Sequence, residues 1–340
     1  MSVVLLAQQR PAAPAEAFDA RVYALTPGNA AFLRQIDAWP GRATPVHAMR
    51  IYGDESSMLE FDAYAAGVPE LAWIVEDAHL QAALWRDMDV FAPAQCRELR
   101  IERDCVTLDL DDRSIQARLV VGADGANSFV RERAGIGVRE RDYGQRAVVA
   151  NFRCEKPHRN IAFQWFQRGA VLALLPLAGD HVSMVWSRST PVDDVCAEVE
   201  KVSGGLLGAL ELLGPPRSYP LRRLAAERLV APRVALAGDA GHVIHPLAGQ
   251  GLNLGLQDAR ALAQVLASRE PQRDPGELGL LRRYERSRAE PILAMDTMVD
   301  SLFRLFAAES TLAARLRNAG LNLTDRLPVI KNMLMRQAMQ

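Results

Sequence analysis

The sequence is poor in lysine. Of its 40 basic residues only three are lysines, Lys156, Lys201 and Lys331. The acids balance the arginines, since 41 acidic residues leave a net charge of −1. A global positive field that would attract a polyanion is therefore missing, and a nucleic acid is not expected as a partner.

Long apolar runs and closely spaced cysteines are also missing. No window approaches the ~20 apolar residues of a membrane-spanning helix. The four cysteines are scattered without CxxC spacing, so neither a zinc site nor a disulfide framework is predicted. The apolar run near Met1 is short and follows no basic residue, which argues against a secretion signal. We expect a cytoplasmic α/β protein.

Strand patterns of two kinds alternate along the 340 residues. The runs 2–6, 118–122 and 233–237 are apolar on both faces, as buried parallel strands are. Residues 143–187 instead hold four β-like runs with turn residues between them, which predicts an antiparallel sheet, and 46–64 predicts paired strands. The chain is therefore expected to interleave two domains.

Helix signals fit this plan. Thr26 and Pro27 supply an N-cap and a first helical residue for a helix over 27–37. Glu76 and Asp77 place acid in the first turn of a helix running to about Met88. Residues 275–338 are predicted to be helical, with breaks near Pro291, Gly320 and Pro328.

The most informative stretch is 233–258, RVALAGDAGHVIHPLAGQGLNLGLQD. A buried strand ends at Gly238, and Asp239 follows at its carboxyl end, where open α/β sheets bind ligands. An amphipathic helix then starts near Gln250. Gly249 and Gly251 at its opening leave the backbone N–H groups free and let a flat ring or a phosphate come close. The alternative is a tight turn with a capping aspartate.

A second strand ends in the same way. In 119–131, LVVGADGANSFVR, Asp124 and Gly125 follow the strand, and Asn127 or Ser128 is expected to cap a helix that contains Arg131. Alone, this pattern is also typical of a structural turn. Since a second strand with glycine and aspartate occurs at 233–239, both strand ends are predicted to face one crevice.

Two further features carry weaker signals. Arg21 lies just before the predicted first helix, and its planar guanidinium suits a pyrophosphate, although most arginines are simply solvated. His242 and His245 have no Glu or Cys at metal-ligand spacing, so no metal site is predicted and His245 is expected to shape the loop.

Together, the segments 238–258, 121–131 and 21–25 resemble the FAD-dependent aromatic-ring hydroxylases, and within them the hydroxylases of ubiquinone biosynthesis. Segments 71–84, 141–158 and 316–334 add to the resemblance, which covers nearly the whole chain. It implies an incomplete Rossmann-like FAD-binding domain interleaved with an antiparallel-sheet substrate domain, plus C-terminal helices. The implied FAD-binding domain takes 1–45, 97–142 and 228–272, the substrate domain 46–96 and 143–227, and the helical region 273–340.

The resemblance also implies roles for individual residues. Asp239 would bind the ribityl chain of FAD, Arg21 would approach the pyrophosphate, and Asp124 and Gly125 would lie near FAD and the path of NAD(P)H. The loop from Pro246 to Asn253 would cradle the pyrimidine end of the flavin through its backbone N–H groups. The residues of this loop that are predicted to bind the cofactor are Pro246, Gly249, Gln250, Gly251, Leu252 and Asn253. No side chain is predicted to act as a catalytic acid or base.

One departure from the family pattern concerns the first residues. The chain begins where the family's second strand is expected, no GxGxxG occurs in the sequence, and Ala7 occupies the position of the expected ribose-binding acid. The first strand and helix of the dinucleotide-binding unit are thus expected to be missing. Two explanations are open: a start site placed too late, or a lineage that lost the motif.

The predicted function is hydroxylation of the aromatic ring of a polyprenylated phenol or quinol, with NAD(P)H and O2. The alternatives are an inactive accessory member that binds prenylquinol or partner hydroxylases, and a hydroxylase of a soluble aromatic acid. Residues 310–340 carry five basic residues against one acid among apolar ones. Such a segment suits peripheral association with the inner membrane or with a hydroxylase complex, or else is a packed helix with solvated arginines.

Overall fold

A large mixed sheet dominates the fold. The computed structural model describes residues 2–53, 57–167, 169–246 and 249–307, and within these the sheet has nine strands. They are β4 Ala48–Tyr52, β5 Met58–Asp62, β12 Val138–Cys154, β13 Ile161–Gln167, β14 Ala170–Leu177, β15 His181–Arg188, β16 Leu210–Leu212, β17 Arg217–Ala226 and β20 His242–Val243.

The spatial order is β20-β17-β12-β15-β14-β13-β4-β5, with β16 paired to β12. Only β13 and β4 pair in parallel; the other neighbours are antiparallel. The four predicted runs of 143–187 and the paired strands of 46–64 are thus confirmed. Gly169 and Gly179 have φ of +69°, a conformation that glycine adopts without strain in the turns between these strands.

The predicted parallel pairing is confirmed for strands in all three runs, although the run 2–6 pairs with a different strand from the other two. Strands β11 Val120–Gly122 and β19 Val234–Leu236 are parallel neighbours, with β18 Val230–Ala231 antiparallel to β19. The run 2–6 forms strand only at β1 Leu5–Leu6, which pairs with β7 Val90–Phe91. The prediction of a fully buried strand over 2–6 is wrong. β1 has one described neighbour, its leucines are half-buried, and Val3 is 60% exposed.

Two smaller sheets complete the described strands. One has the order β2-β6-β3 and the other β10-β9-β8, and both are antiparallel. Their strands are β2 Val22–Leu25, β3 Ala43–Val46, β6 Ala72–Glu76, β8 Cys96–Ile101, β9 Val106–Leu110 and β10 Ser114–Ala117.

Seven α-helices lie within the described residues. They are α1 Pro27–Gln35, α2 Ala63–Ala66, α3 Asp77–Leu84, α4 Phe129–Arg133, α5 Val195–Ser203, α6 Gly251–Ala267 and α7 Leu278–Ala307. The start of α1 is as predicted, because the Thr26 side chain caps it by accepting a hydrogen bond from the Asn29 backbone and Pro27 follows.

Two helix predictions need correction. Helix α3 ends at Leu84 instead of near Met88, because Asp87 takes a positive φ of 58° and the chain turns toward β7. Helix α7 continues through Pro291, where a break was predicted. Packing holds both halves: Tyr284 and Val299, on either side of the proline, are each at most 1% exposed, which offsets the lost backbone hydrogen bond. Gly320 and Pro328 lie outside the described residues.

The predicted domain division stays a prediction. Strand β12 begins at Val138, before the expected boundary at 143, and β20 joins the large sheet although 228–272 was assigned to the other domain. The sheet β2-β6-β3 likewise takes strands from both expected domains.

Candidate active site

A cavity of about 1450 Å³ is lined by elements from both halves of the fold. On one side lie β2, the ends of β11 and β19, and the start of α6; on the other lies one face of the large sheet. Typical ligand pockets measure about 300–1,000 Å³. This cavity therefore has room for a large cofactor together with a second molecule.

The parallel pairing of β11 and β19 brings two loops together. Gly122 and Leu236 are register partners at the carboxyl ends of the strands, so the segments that follow leave the sheet at the same edge. Gly125 and Asp239, which come from these segments, both line the cavity. The predicted common crevice is confirmed, and it joins residues more than a hundred positions apart in sequence.

Asp124 points elsewhere. Its carboxylate accepts hydrogen bonds from the Ser128 hydroxyl and from the Val130 backbone N–H, and so holds the first turn of α4. Its side chain does not line the cavity. Of the two acids that follow the strands, this one has the structural role that the sequence left open.

Arg131 ties the two loops to each other, a role that sequence reasoning missed. Its buried guanidinium donates to the carbonyl oxygens of Ala240 and Ala126 at 2.8 and 2.9 Å. Since these two residues belong to the segments after β19 and β11, Arg131 fixes their distance. The sequence feature that could have indicated this role is an arginine in a short helix directly after a glycine-containing turn.

The Asp239 carboxylate is open to the cavity but surrounded by protein atoms. Desolvation raises its pKa, and the charges of His242, Arg21 and Arg222 act in the opposite direction. Within the described part of the chain, no group donates a hydrogen bond to this carboxylate. It is therefore placed to accept hydrogen bonds from the hydroxyl groups of a ligand.

The start of α6 forms the neighbouring wall. Gly249 and Gly251 both border the cavity. Gly249 has a φ of +62°, and a Cβ added to Gly251 would meet no atom within 4 Å. Pro246, Gln250 and Leu252 also line it. The free N–H groups and the positive end of this 17-residue helix favour negative charge here. Leu247 and Ala248 lie outside the described residues.

The Asn253 side chain forms hydrogen bonds with other residues of the protein and does not point into the cavity. Its carbonyl oxygen accepts from the Thr26 backbone at 3.1 Å and from the Asn29 side chain at 2.8 Å, and its amide donates to Ala24 at 2.8 Å. It is 1% exposed. Asn253 thus fastens the start of α6 to β2 and α1, and only its backbone remains a candidate for contact with a cofactor.

Arg21 lines the cavity near β2, and its guanidinium lies 5.4 Å from the ring centre of Tyr219. Tyr23, Tyr219 and Arg222 line the cavity as well, and none of them was predicted. Arg222 donates to the Asn127 side chain at 2.6 Å. The region around Asp239 therefore combines one acid with two cations.

A buried array supports the turn that carries Asp239. The Asp258 carboxylate accepts from the Gly238 backbone at 2.9 Å, from His242 at 2.6 Å and from Arg288 at 2.7 Å. The sequence held one sign of this array, since Asp258 falls on the apolar side of a predicted amphipathic helix, where an acid needs partners.

The second histidine of the loop is buried too. His245 is 1% exposed, its ring lies 4.8 Å from that of Tyr143, and its Nε2 lies 3.3 Å from the Gln145 side chain. Desolvation lowers its pKa to about 4. His245 is therefore a neutral packing group beside the loop, as the loop-shaping role requires.

The sheet wall is mainly aliphatic. Side chains of β12 to β15 alternate between the cavity and a core behind the sheet. Trp165 and Trp186 belong to that core, and Phe166 packs in a separate buried cluster with Ile244. Among the cavity-lining residues of β12 to β15, Gln164 and Ser187 are the polar ones, and neither was predicted.

No helix in the described part of the chain is long and apolar enough to cross a membrane. The basic segment 310–340 lies outside the described residues.

The protein-family model described as "FAD binding domain" matches residues 100–297 of this chain. The ubiquinone hydroxylase UbiL of Rhodospirillum rubrum is 35% identical over 360 aligned positions, which cover 100% of this chain and 84% of that protein. The 3-demethoxyubiquinol 3-hydroxylase of Escherichia coli is 32% identical, with 94% and 87% covered. Klebsiella pneumoniae HpxO, solved with FAD and uric acid, superposes with a TM-score of 0.77 at 17% identity, over 99% of this chain and 97% of that one. The last comparison bears on the fold alone.

Proposed function

This chain belongs to the family of FAD-dependent aromatic hydroxylases that carry the FAD binding domain, and from that premise we propose that it hydroxylates the ring of a polyprenylated phenol or quinol in ubiquinone biosynthesis. The reaction consumes NAD(P)H and O2. One observation carries the proposal: a single cavity has a glycine-bordered wall with a free carboxylate and, opposite to it, an almost entirely aliphatic wall.

The glycine-bordered wall fits FAD. Asp239 would accept hydrogen bonds from the ribityl hydroxyls, and Arg21 would approach the pyrophosphate. The segment from Pro246 to Asn253 would face the pyrimidine end of the flavin, where the positive end of α6 stabilises negative charge. Gly125, which borders the same space, would lie near FAD and the path of NAD(P)H.

Bound FAD would supply the redox chemistry between NAD(P)H and O2. The protein's part is to position the ring and to keep water out, which the aliphatic residues of β12 to β15 do. The buried array around Asp258 holds the Asp239 turn in place. No side chain is assigned as catalytic acid or base, since the polar groups of the sheet wall are an amide and a hydroxyl.

The direct test is turnover with a defined substrate. Purified protein saturated with FAD is mixed with NAD(P)H, O2 and a short-chain prenylphenol, and NAD(P)H oxidation and the mass of the product are followed. We expect oxidation that depends on the phenol and a product one oxygen atom heavier. A polyprenol of equal chain length without the ring is the control.

The other outcomes have definite meanings. Binding of prenylquinol without turnover would support an accessory protein in place of an enzyme. Protein that takes up no FAD would overturn the proposal.

Peripheral association is a second, separate part of the proposal. It rests on the composition of residues 310–340, which contain one acid, Asp325, and five basic residues: Arg315, Arg317, Arg326, Lys331 and Arg336. Binding to anionic liposomes is expected to fall when residues 325–340 are deleted. Unchanged binding would remove this part and leave the enzymatic proposal intact.

A further inference from the structure

The part of the cavity wall that β12 to β15 form has two polar positions among aliphatic ones. Gln164, Ala173, Val185 and Val149 are successive register partners across β13, β14, β15 and β12. The next row contains Val171, Ser187 and Ala147. Directly paired residues present their side chains on one face of a sheet, and all seven of these residues line the cavity.

The two polar side chains are buried. Gln164 is 5% exposed and Ser187 is 3% exposed. In an apolar pocket, a few such groups fix the orientation of a ligand, because a ligand hydroxyl that enters must replace the hydrogen bonds it made to water. An amide and a hydroxyl both donate and accept, so each can bind a neutral phenolic hydroxyl.

The charged groups that line the cavity come from elements other than β12 to β15. Among the described residues that line the cavity, Arg21, Arg222 and Asp239 carry charge. They come from β2, from β17 and from the turn after β19, around the proposed FAD site. Strand β17 belongs to the same sheet, but β12, β15 and β14 separate it from β13, which carries Gln164. Among the cavity-lining residues of β12 to β15 that the structure describes, none is a cation.

We infer that Gln164 recognises a neutral ring hydroxyl, and that this wall selects neutral phenols or quinols against aromatic carboxylates. A carboxylate moved from water to this wall would lose its hydration without gaining a cation, which is far more costly than the burial of a hydroxyl that finds a partner. This inference rests on the proposed function and narrows it, because it disfavours the soluble aromatic acid as substrate.

The first experiment compares two substrates with the unaltered protein. A short-chain prenylphenol and the corresponding prenylated hydroxybenzoate differ by one carboxylate. We expect kcat/KM for the phenol to exceed that for the acid by at least about 100-fold, since a hydrogen-bonding site discriminates strongly when its partners do not match. Equal or better turnover of the acid would overturn the inference but leave the hydroxylase activity established.

The second experiment changes the amide. Gln164→Leu keeps a similar volume and removes both hydrogen-bonding groups. We expect KM for the phenol to rise roughly 10- to 100-fold, as for the loss of one buried hydrogen bond, and less of the NAD(P)H consumed to yield hydroxylated product. The affinity for FAD should stay unchanged, because Gln164 lies on β13 and outside the strand-end loops and the start of α6 that are proposed to hold FAD. Gln116→Leu, on the exposed face of β10, is the matched control.

Two more variants keep the test decisive if Gln164→Leu folds poorly. Gln164→Asn retains the amide but withdraws it by one methylene, and an intermediate KM is expected. Gln164→Arg places a cation on the wall and should shift the preference toward the acid. If the unaltered enzyme turns over the phenol and none of the three variants changes KM or the substrate preference, the assignment of Gln164 fails while the proposed function stands.

Discussion

The Nε2 atom of His242 lies 2.6 Å from the carboxylate of Asp258, in a place where Asp258 is 0% exposed and His242 is 4% exposed. Arg288 contacts the other oxygen of the same carboxylate. Burial raises the pKa of Asp258, but the hydrogen bonds and charges of His242 and Arg288 outweigh this effect and hold it below its ordinary value. The turn before Asp239 is thus anchored on a buried ionised group.

Replacing this carboxylate by an amide should destabilise the protein strongly. Asp258→Asn leaves the buried guanidinium of Arg288 without a counter-charge, and breaking a buried pair in this way costs about 3–5 kcal/mol. Urea unfolding of the FAD-free protein measures the change. Asp112→Asn, in an exposed pair with Arg113, should unfold like the unaltered chain. Equal stability of the two variants would contradict the anchoring role.

Asp239 should behave in the opposite way. Asp239→Asn removes a desolvated charge to which no described residue donates a hydrogen bond, so the stability of the FAD-free protein should stay the same or rise slightly. Its affinity for FAD should fall about 10- to 100-fold, the usual effect of losing a charge-assisted hydrogen bond. Titration by quenching of flavin fluorescence gives the affinity. A fall in stability with intact FAD binding would show that Asp239 serves the fold.

A side chain at Gly251 should block the cofactor without harming the fold. Gly251 does not have a positive φ, and a Cβ there meets only open space. Gly251→Leu is therefore expected to leave Tm unchanged or higher, since leucine favours a helix more than glycine does, while FAD binding falls at least about tenfold. Gly214→Leu is the control, because Gly214 has equal free space but lies away from the cavity. Normal FAD binding by Gly251→Leu would place the flavin elsewhere.

From the lowered pKa of the buried His245 we predict that the stability of the protein depends on pH. Its pKa is about 4 in the folded protein against an ordinary 6.5, so the unfolded chain takes up a proton first as the pH falls. The contribution of the neutral histidine is therefore complete above pH 6.5 and is lost progressively toward pH 4.

The variant that isolates this effect is His245→Phe, which keeps a ring against Tyr143 and Phe303. Between pH 7 and pH 5, the unaltered protein should lose about 2 kcal/mol more unfolding free energy than the variant. Urea unfolding at several pH values provides the comparison. Parallel pH curves for the two proteins would mean that His245 is already protonated in the fold or does not titrate differently from the unfolded chain.

Local patterns predicted the elements well where one face is buried. The runs that became β12 to β15, the cap at Thr26 and the glycine-opened helix α6 follow from periodicity and turn chemistry. The same patterns predicted too long a strand at 2–6 and a helix break at Pro291 that does not occur. Both predictions failed because burial by distant segments decides whether a short run pairs and whether a proline is tolerated within a helix.

Some features of the candidate site could likewise be predicted from local sequence, and others could not. Both strand-end aspartates have similar local sequences, yet Asp124 accepts hydrogen bonds from Ser128 and from the first turn of α4, whereas Asp239 lines the cavity. The amide of Asn253 binds residues that lie 224 and 227 positions away, and no local pattern contains such a contact. Gln164 and Ser187 could not be singled out either, because the alternation along a strand shows two faces without telling which one borders a cavity.

By itself, the sequence determined that two strands end in glycine and aspartate and that a helix opens on glycines. These properties depend on neighbours within a few residues, since backbone conformation and caps are local. Only the tertiary structure decided which aspartate borders the cavity, which face of the large sheet lines it, and what holds the Asp239 turn. Those outcomes depend on pairing between segments a hundred or more residues apart, where burial and charge compensation select one orientation among several that are locally equivalent.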